Sequence, residues 1–242
     1  MVIVEAQGQT KISSVGRNAR ILILNCDFDQ NPMTNGAELI KSALRVVSVD
    51  RINVFENAPD REMLAAYNGL VITGSEASVY HKSEWISDLF RTIQEVDRLG
   101  IPTLGICFGF QAVAESAGGR VIGSGKFEVG FRSISLTEEG VSNFIFEGLP
   151  RRLIIYESHG DVLERLPYGA SVLAENAFSM QGFQLNNFTC VQGHPEIRPD
   201  IAAIMAERDG DNLKTIMNGV KRDYASPLRI LENFLGEVEL RL

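Results

Sequence analysis

Short uninterrupted apolar runs alternate with stretches of helical period along the first half of the chain. Arg20-Ile21-Leu22-Ile23-Leu24-Asn25 and Gly69-Leu70-Val71-Ile72-Thr73 are apolar on both faces, the mark of central parallel strands. Ile101-Pro102-Thr103-Leu104 reads as a further short buried strand, and Val49 to Phe55 alternates like a half-exposed one. Helices are expected from Gly36 to about Val46, from Asp60 to Tyr67, and from Ser83 to Leu99. The last carries Ile86, Leu89, Phe90, Ile93, Val96 and Leu99 at helical spacing before Gly100 stops it. Strands alternating with helices predict βαβ units and a parallel sheet. After Gly119 the pattern changes. Arg120 to Leu136, Leu153 to Tyr156, Ala170 to Ala174 and Phe178 to Val191 read as strands, several antiparallel, with Asn186-Asn187 as a hairpin turn. Glu138 to Phe146 reads as a short helix. From about residue 200 the expectation is helical: Asp200 to Arg208, Asp211 to about Tyr224, and Pro227 to Leu235. Residues 1–19 lack sustained periodicity and read as a tail or peripheral segment, leaving 20–242 as a single α/β domain. Its sheet is expected to be open, mixed and mainly parallel, flanked by helices.

The chemistry concentrates at Leu104-Gly105-Ile106-Cys107-Phe108-Gly109-Phe110-Gln111, where a strand turns into a helix read over Gln111 to Ala117. A cysteine with a glycine two residues away on either side has the layout of a nucleophile elbow, G-x-S-x-G with cysteine for serine. Glycines let backbone crowd the turn, and the helix N-terminus supplies N–H groups and partial positive charge that favour a thiolate. The pentapeptide alone leaves two readings, an activated nucleophile or a buried structural cysteine. Gln192-Gly193-His194-Pro195-Glu196 tips the balance. Pro195 holds His194 extended, so His194 and Glu196 share a face, and a carboxylate there can orient the imidazole for a thiol.

G-I-C-F-G-F-Q followed by G-H-P-E resembles the class I (Cys-His-Glu) glutamine amidotransferases, especially the glutaminase part of GMP synthases. Glu157-Ser158-His159-Gly160-Asp161 resembles their S-H-G-D segment, and Thr73-Gly74-Ser75-Glu76-Ala77-Ser78-Val79-Tyr80 their glycine-rich loop. The likeness runs from about Ile21 to Glu196. It implies a flavodoxin-like amidotransferase fold and a triad of Cys107, His194 and Glu196. It also implies an oxyanion hole from the N–H groups of Gly74 or Ser75 with Phe108, and substrate contacts from Gln111 and the main chain of Ser158, His159 and Gly160. The loop departs from the family's G-G-P or G-P-G, keeping only Gly74. The implied reaction is hydrolysis of the glutamine side-chain amide, with ammonia passed to an acceptor on a separate synthetase subunit. A γ-glutamyl peptidase using the same triad is the alternative, and a catalytically idle regulatory subunit the third reading.

Composition narrows this further. The 242 residues are 45% hydrophobic and 22% charged, ordinary for a globular chain, and the net charge of -8 argues against nucleic acid as a partner. Of the three cysteines, Cys26 and Cys190 close apolar runs and read as core thiols, which points to a reducing compartment, with the cytoplasm as the default. No apolar run approaches membrane-spanning length, and Met1-Val2-Ile3-Val4 is too short for a signal segment. Gly123-Ser124-Gly125-Lys126 approaches the end of a phosphate-binding loop, but Arg120 and Phe127 stand where G-x-x-x-x-G-K-[ST] needs Gly and Ser or Thr. The S-G-G-x-D-S loop of pyrophosphate-forming synthetases is also missing, so no nucleotide cofactor is expected. His81 reads as a solvated loop residue. With three histidines and no paired carboxylate cluster in view, no metal is expected either.

Overall fold

The computed structural model describes residues 19–44, 48–220 and 227–242. The expectations for residues 1–18, for the end of the first helix at Val46 and for 221–224 lie outside them. The first half alternates as predicted: β1 (Arg20–Asn25), α1 (Gly36–Ala43), β2 (Ser48–Asn53), α2 (Arg61–Ala65), β3 (Gly69–Ile72), α3 (Glu84–Leu99), β4 (Thr103–Ile106) and α4 (Phe108–Ser116). Local signals set the boundaries. Asn35 and Asp60 cap α1 and α2 by accepting the N–H of Glu38 and Met63, and Gly100, at φ 66°, ends α3. The continuous apolar runs are explained by burial on both faces. Ile21 and Ile23 pack on the side of α1 and the C-terminal helix, while Leu22 and Leu24 pack on the side of α3 and α4.

The second half comprises β5 (Arg120–Leu136), α5 (Glu138–Ser142), β6 (Arg152–Arg165), β7 (Ser171–Glu175), β8 (Met180–Leu185), β9 (Phe188–Val191), α6 (Pro199–Asp209), α7 (Leu213–Ile216) and α8 (Arg229–Leu240). All strands join one nine-stranded sheet in the order β2-β1-β3-β4-β9-β8-β7-β5-β6. β1, β2, β3, β4 and β9 pair parallel, and the remaining pairings are antiparallel, so the sheet is open, mixed and flanked by helices.

Some boundaries in this half differ from the sequence expectation. β6 continues from Tyr156 to Arg165 because its polar middle pairs with β5, Ser158 opposite Val129 and His159 opposite Glu128. The run from Phe178 to Val191, by contrast, is as expected a pair of strands folded at Asn186, whose φ of 49° makes the turn. The helix from Asp211 is confined to α7 and a 3-10 turn over Met217–Gly219, both lying against β5. A Cβ on Gly219 would meet the Phe131 carbonyl at 2.3 Å, and one on Gly130 the Ile216 carbonyl at 2.7 Å, so backbone rests on backbone. α8 runs past Leu235 to Leu240 because Val238 continues its buried stripe. Among the described residues no helix is long and apolar enough to cross a membrane.

Candidate active site

Cys107 stands alone between β4 and α4, with φ 52° and ψ −103°. That region strains a residue with a Cβ and persists only where the surroundings enforce it. The enforcement is visible. The Cys107 N–H donates to the Val191 carbonyl (2.9 Å), the Gly109 N–H to the Thr73 carbonyl (3.1 Å), and the Gln111 N–H to the Cys107 carbonyl (3.1 Å). Gly109 allows α4 to approach β3: a Cβ there would lie 2.4 Å from the Ile72 carbonyl oxygen. The helix therefore begins at Phe108, earlier than the sequence suggested, and the Phe108 N–H is among those with no acceptor inside the helix.

His194 arrives from the end of β9, its N–H held by the Tyr156 carbonyl at 2.7 Å. Its Nδ1 lies 2.8 Å from Glu196 Oε1, the geometry expected from the i, i+2 relation across Pro195. Cys107 and Glu196 both act on the ring. Burial pushes its pKa down, but Cys107 and Glu196 outweigh burial and hold it well above the usual histidine value. Gly74 faces this pair. A Cβ on Gly74 would fall 2.9 Å from His194 Cε1 and 3.6 Å from Cys107 Cβ, so only glycine leaves the ring its place. We expect Gly74→Ala to lower kcat about a hundredfold by displacing the ring, with the melting temperature little changed. Steady-state kinetics beside thermal unfolding would check this, and wild-type turnover would mean the loop does not crowd the reacting atoms.

The remaining expected residues converge on one cleft of about 470 Å³, lined by Gly74, Ser75, Cys107, Gln111, Ser158, His159, Gly160, His194 and Glu196. The Ser158 carbonyl lies 3.9 Å from Cys107 Sγ. Gln111 is buried in α4 and donates to Gln192 Oε1 at 3.1 Å, linking the elbow to the segment that carries His194. The Tyr80 hydroxyl bonds Asp161 Oδ1 at 2.8 Å, tying the Gly74 loop to β6. Cys26 and Cys190 are fully buried core thiols whose pKa values burial drives far up, so neither competes as a nucleophile.

Two features escaped the sequence. Asp27, read there only as part of a turn-rich loop, lines the cleft and accepts the Gly36 N–H at 2.8 Å, and burial raises its pKa. Its signal was its place just past the C-terminal end of β1, where open α/β sheets put ligands. The second is a correction: a paired carboxylate cluster exists. Glu128 and Glu157 flank His159, and the donor atoms of all three lie within 4.8 Å of one another. Only the pairing of β5 with β6 brings Glu128 to this place, so linear spacing gave no sign of it.

An elbow cysteine, a histidine held by a carboxylate, and a facing glycine loop on a mixed α/β sheet make a candidate site of the kind that cysteine-dependent amide hydrolases use. Residues 34–206 match the glutamine amidotransferase class-I family, and the chain belongs to it. It is 34% identical to gamma-glutamyl peptidase 4 of Arabidopsis thaliana over 155 residues, 62% of either chain. It is 29% identical to gamma-glutamyl peptidase 3 of the same plant over 193 residues, covering 73% of this chain and 78% of that protein. GMP synthase from Aquifex aeolicus is 34% identical over 132 residues, 53% of this chain but only 24% of that enzyme. A glutamine amidotransferase structure from Thermotoga maritima superposes with a TM-score of 0.74 at 22% identity, covering 93% of this chain and 99% of that one, and establishes a shared fold.

Proposed function

We propose that this enzyme hydrolyses γ-glutamyl amides in which the amide nitrogen carries a substituent, as a γ-glutamyl peptidase does. The observation that carries the reading is the reach of the cleft. Besides Cys107 and His194 it is lined by Asp27, Thr34, Met205 and Asp211, and its volume of about 470 Å³ has room for a leaving group larger than ammonia. The likeness to gamma-glutamyl peptidases over most of the chain supports the same choice.

In this reading the Cys107 sulfur attacks the γ-carbonyl carbon, and its proton passes to His194. The oxyanion takes hydrogen bonds from the N–H groups of Phe108 and of Gly74 or Ser75. His194, oriented by Glu196, returns the proton to the amide nitrogen as the C–N bond breaks, so the amine leaves neutral. Water then attacks the thioester, giving its proton to His194, and glutamate departs as Cys107 is restored. Gln111 and the main chain of Ser158 to Gly160 hold the glutamyl group.

The test compares glutamate release from glutamine and from a panel of γ-glutamyl dipeptides. Higher kcat/KM on the dipeptides is expected, and a clear preference for glutamine would overturn the reading. A second reading, a glutaminase feeding ammonia to a separate synthetase subunit, is supported by the partial likeness to GMP synthases. It requires glutamine turnover to rise when a synthetase is added.

A further inference from the structure

Beneath the cleft floor lies a buried ionic array that the proposed reaction does not use. Glu128 of β5 and Glu157 and His159 of β6 are 8%, 0% and 4% exposed. His159 Nδ1 lies 2.9 Å from the Asp161 carbonyl, which can only accept, so Nδ1 carries a proton. Its Nε2 lies 3.2 Å from Glu128 Oε2 and 3.3 Å from Glu157 Oε2. The Nε2 proton is donated to Glu128 Oε2, while Glu157 Oε2 lies at ion-pair distance and accepts no hydrogen bond. The oxygens of Glu128 also accept the side-chain amides of Asn176 (2.8 Å) and Gln181 (3.2 Å). Glu157 has no such support. Its Oε1 sits where a Cβ on Gly193 would meet it at 2.7 Å, directly before His194. On its other side Glu157 precedes Ser158, whose carbonyl faces the Cys107 sulfur.

We propose that Glu157 is a positioning residue that clamps His159 from below, so that the main chain of Ser158–Asp161 keeps the shape that binds the glutamyl group. The proposal rests on the γ-glutamyl reading above. Glu157 acts through the imidazolium. With two carboxylates on Nε2 and a carbonyl on Nδ1, the ring is pinned on both sides and fixes the strand that carries it. The two carboxylates outweigh burial and hold the His159 pKa at about 10, so the clamp stays charged across the neutral range. The other groups that face the ring are Cys107, which acts on it electrostatically, and the Phe178 ring, 5.5 Å away at an edge.

Glu157→Gln keeps the shape and an acceptor but removes one charge. The test compares labelling of Cys107 by two reagents, a diazoketone analogue of glutamine, which uses the glutamyl subsite, and iodoacetamide, which does not. The ratio of the two rates cancels the ionisation of the thiol itself. In the variant the ratio is expected to fall about tenfold, or about 1.4 kcal/mol, with iodoacetamide labelling within about twofold of wild type. The wild-type ratio should stay level from about pH 7 to about pH 9, whereas the variant's should decline as His159, now with one carboxylate, loses its proton. A purely structural loss would not create that slope. If Glu157→Gln does not fold, Glu128→Gln removes the other carboxylate from β5 and carries the same expectation. An unchanged, level ratio in the variant overturns the proposal. So does a stoichiometric divalent ion in the purified protein whose removal lowers the ratio, because the array would then hold a cation rather than a proton. Wild-type enzyme that reacts with iodoacetamide but not with the analogue would refute the γ-glutamyl reading itself.

Discussion

Cys107→Ala is expected to lower turnover on any γ-glutamyl substrate by about ten-thousand-fold or more, since the covalent route disappears with the sulfur. The fold should survive, because the side chain is lost at the cleft and the elbow is held by backbone bonds to Val191 and from Gln111. Relief of positive-φ strain is small on this scale, as alanine suffers the same backbone restriction. Cys26→Ala and Cys190→Ala form the control. Both thiols are fully buried, so each variant should lose about 1 kcal/mol of stability while kcat stays within about twofold. Circular dichroism and steady-state kinetics on the three variants separate chemistry from folding. Comparable loss of activity in all of them, with intact spectra, would remove Cys107 from the nucleophile's place.

Glu196→Gln carries the second largest effect. The carboxylate accepts from His194 Nδ1 at 2.8 Å, is itself buried, and helps to raise the histidine's pKa. An amide of the same shape keeps a contact but loses the charge that supports an imidazolium. We expect kcat to fall on the order of a hundred- to a thousandfold with little change in KM. The alkaline limb of the pH profile should move downward, because a histidine without its carboxylate gives up the raised pKa, loses its proton at lower pH and protonates the leaving amine less readily. A kcat within threefold of wild type would assign the orienting role to another carboxylate, with Asp27 the nearest candidate beyond Gly36.

Most of the first half of this fold was legible because its physics is one-dimensional. A strand buried on both faces must be apolar throughout, as Ile21 to Leu24 are, and a helix covering it must repeat its apolar residues, as α3 does. The placement of Cys107, His194 and Glu196 was legible for a related reason. Cys107 sits between two nearby glycines and His194 is two residues from Glu196, so each half of the site is encoded locally. What stayed hidden is what strand pairing assembles. β6 carries Glu157, Ser158, His159, Gly160 and Asp161 in its middle, and no alternation marks a strand whose polar middle is held by pairing with a neighbour. Glu128 joins His159 across that pairing, and the shortness of α7 follows from its close seat on Gly130, which a helical period cannot reveal.

The two glycines of the elbow carry a mechanical consequence. A Cβ on Gly105 would lie 3.0 Å from the Gly109 carbonyl group, and one on Gly109 would strike the Ile72 carbonyl. β4, α4 and β3 are therefore stacked backbone to backbone, with the Gly109 N–H bonded to Thr73 immediately before Gly74. The sulfur and the loop opposite it ride on one stiff block. His194 hangs from β9, which pairs with β4 and accepts the Cys107 N–H at Val191, and it is braced by Tyr156 of β6. Sulfur, facing loop and imidazole thus share one frame, and a change that loosens β4 should disturb all three spacings together.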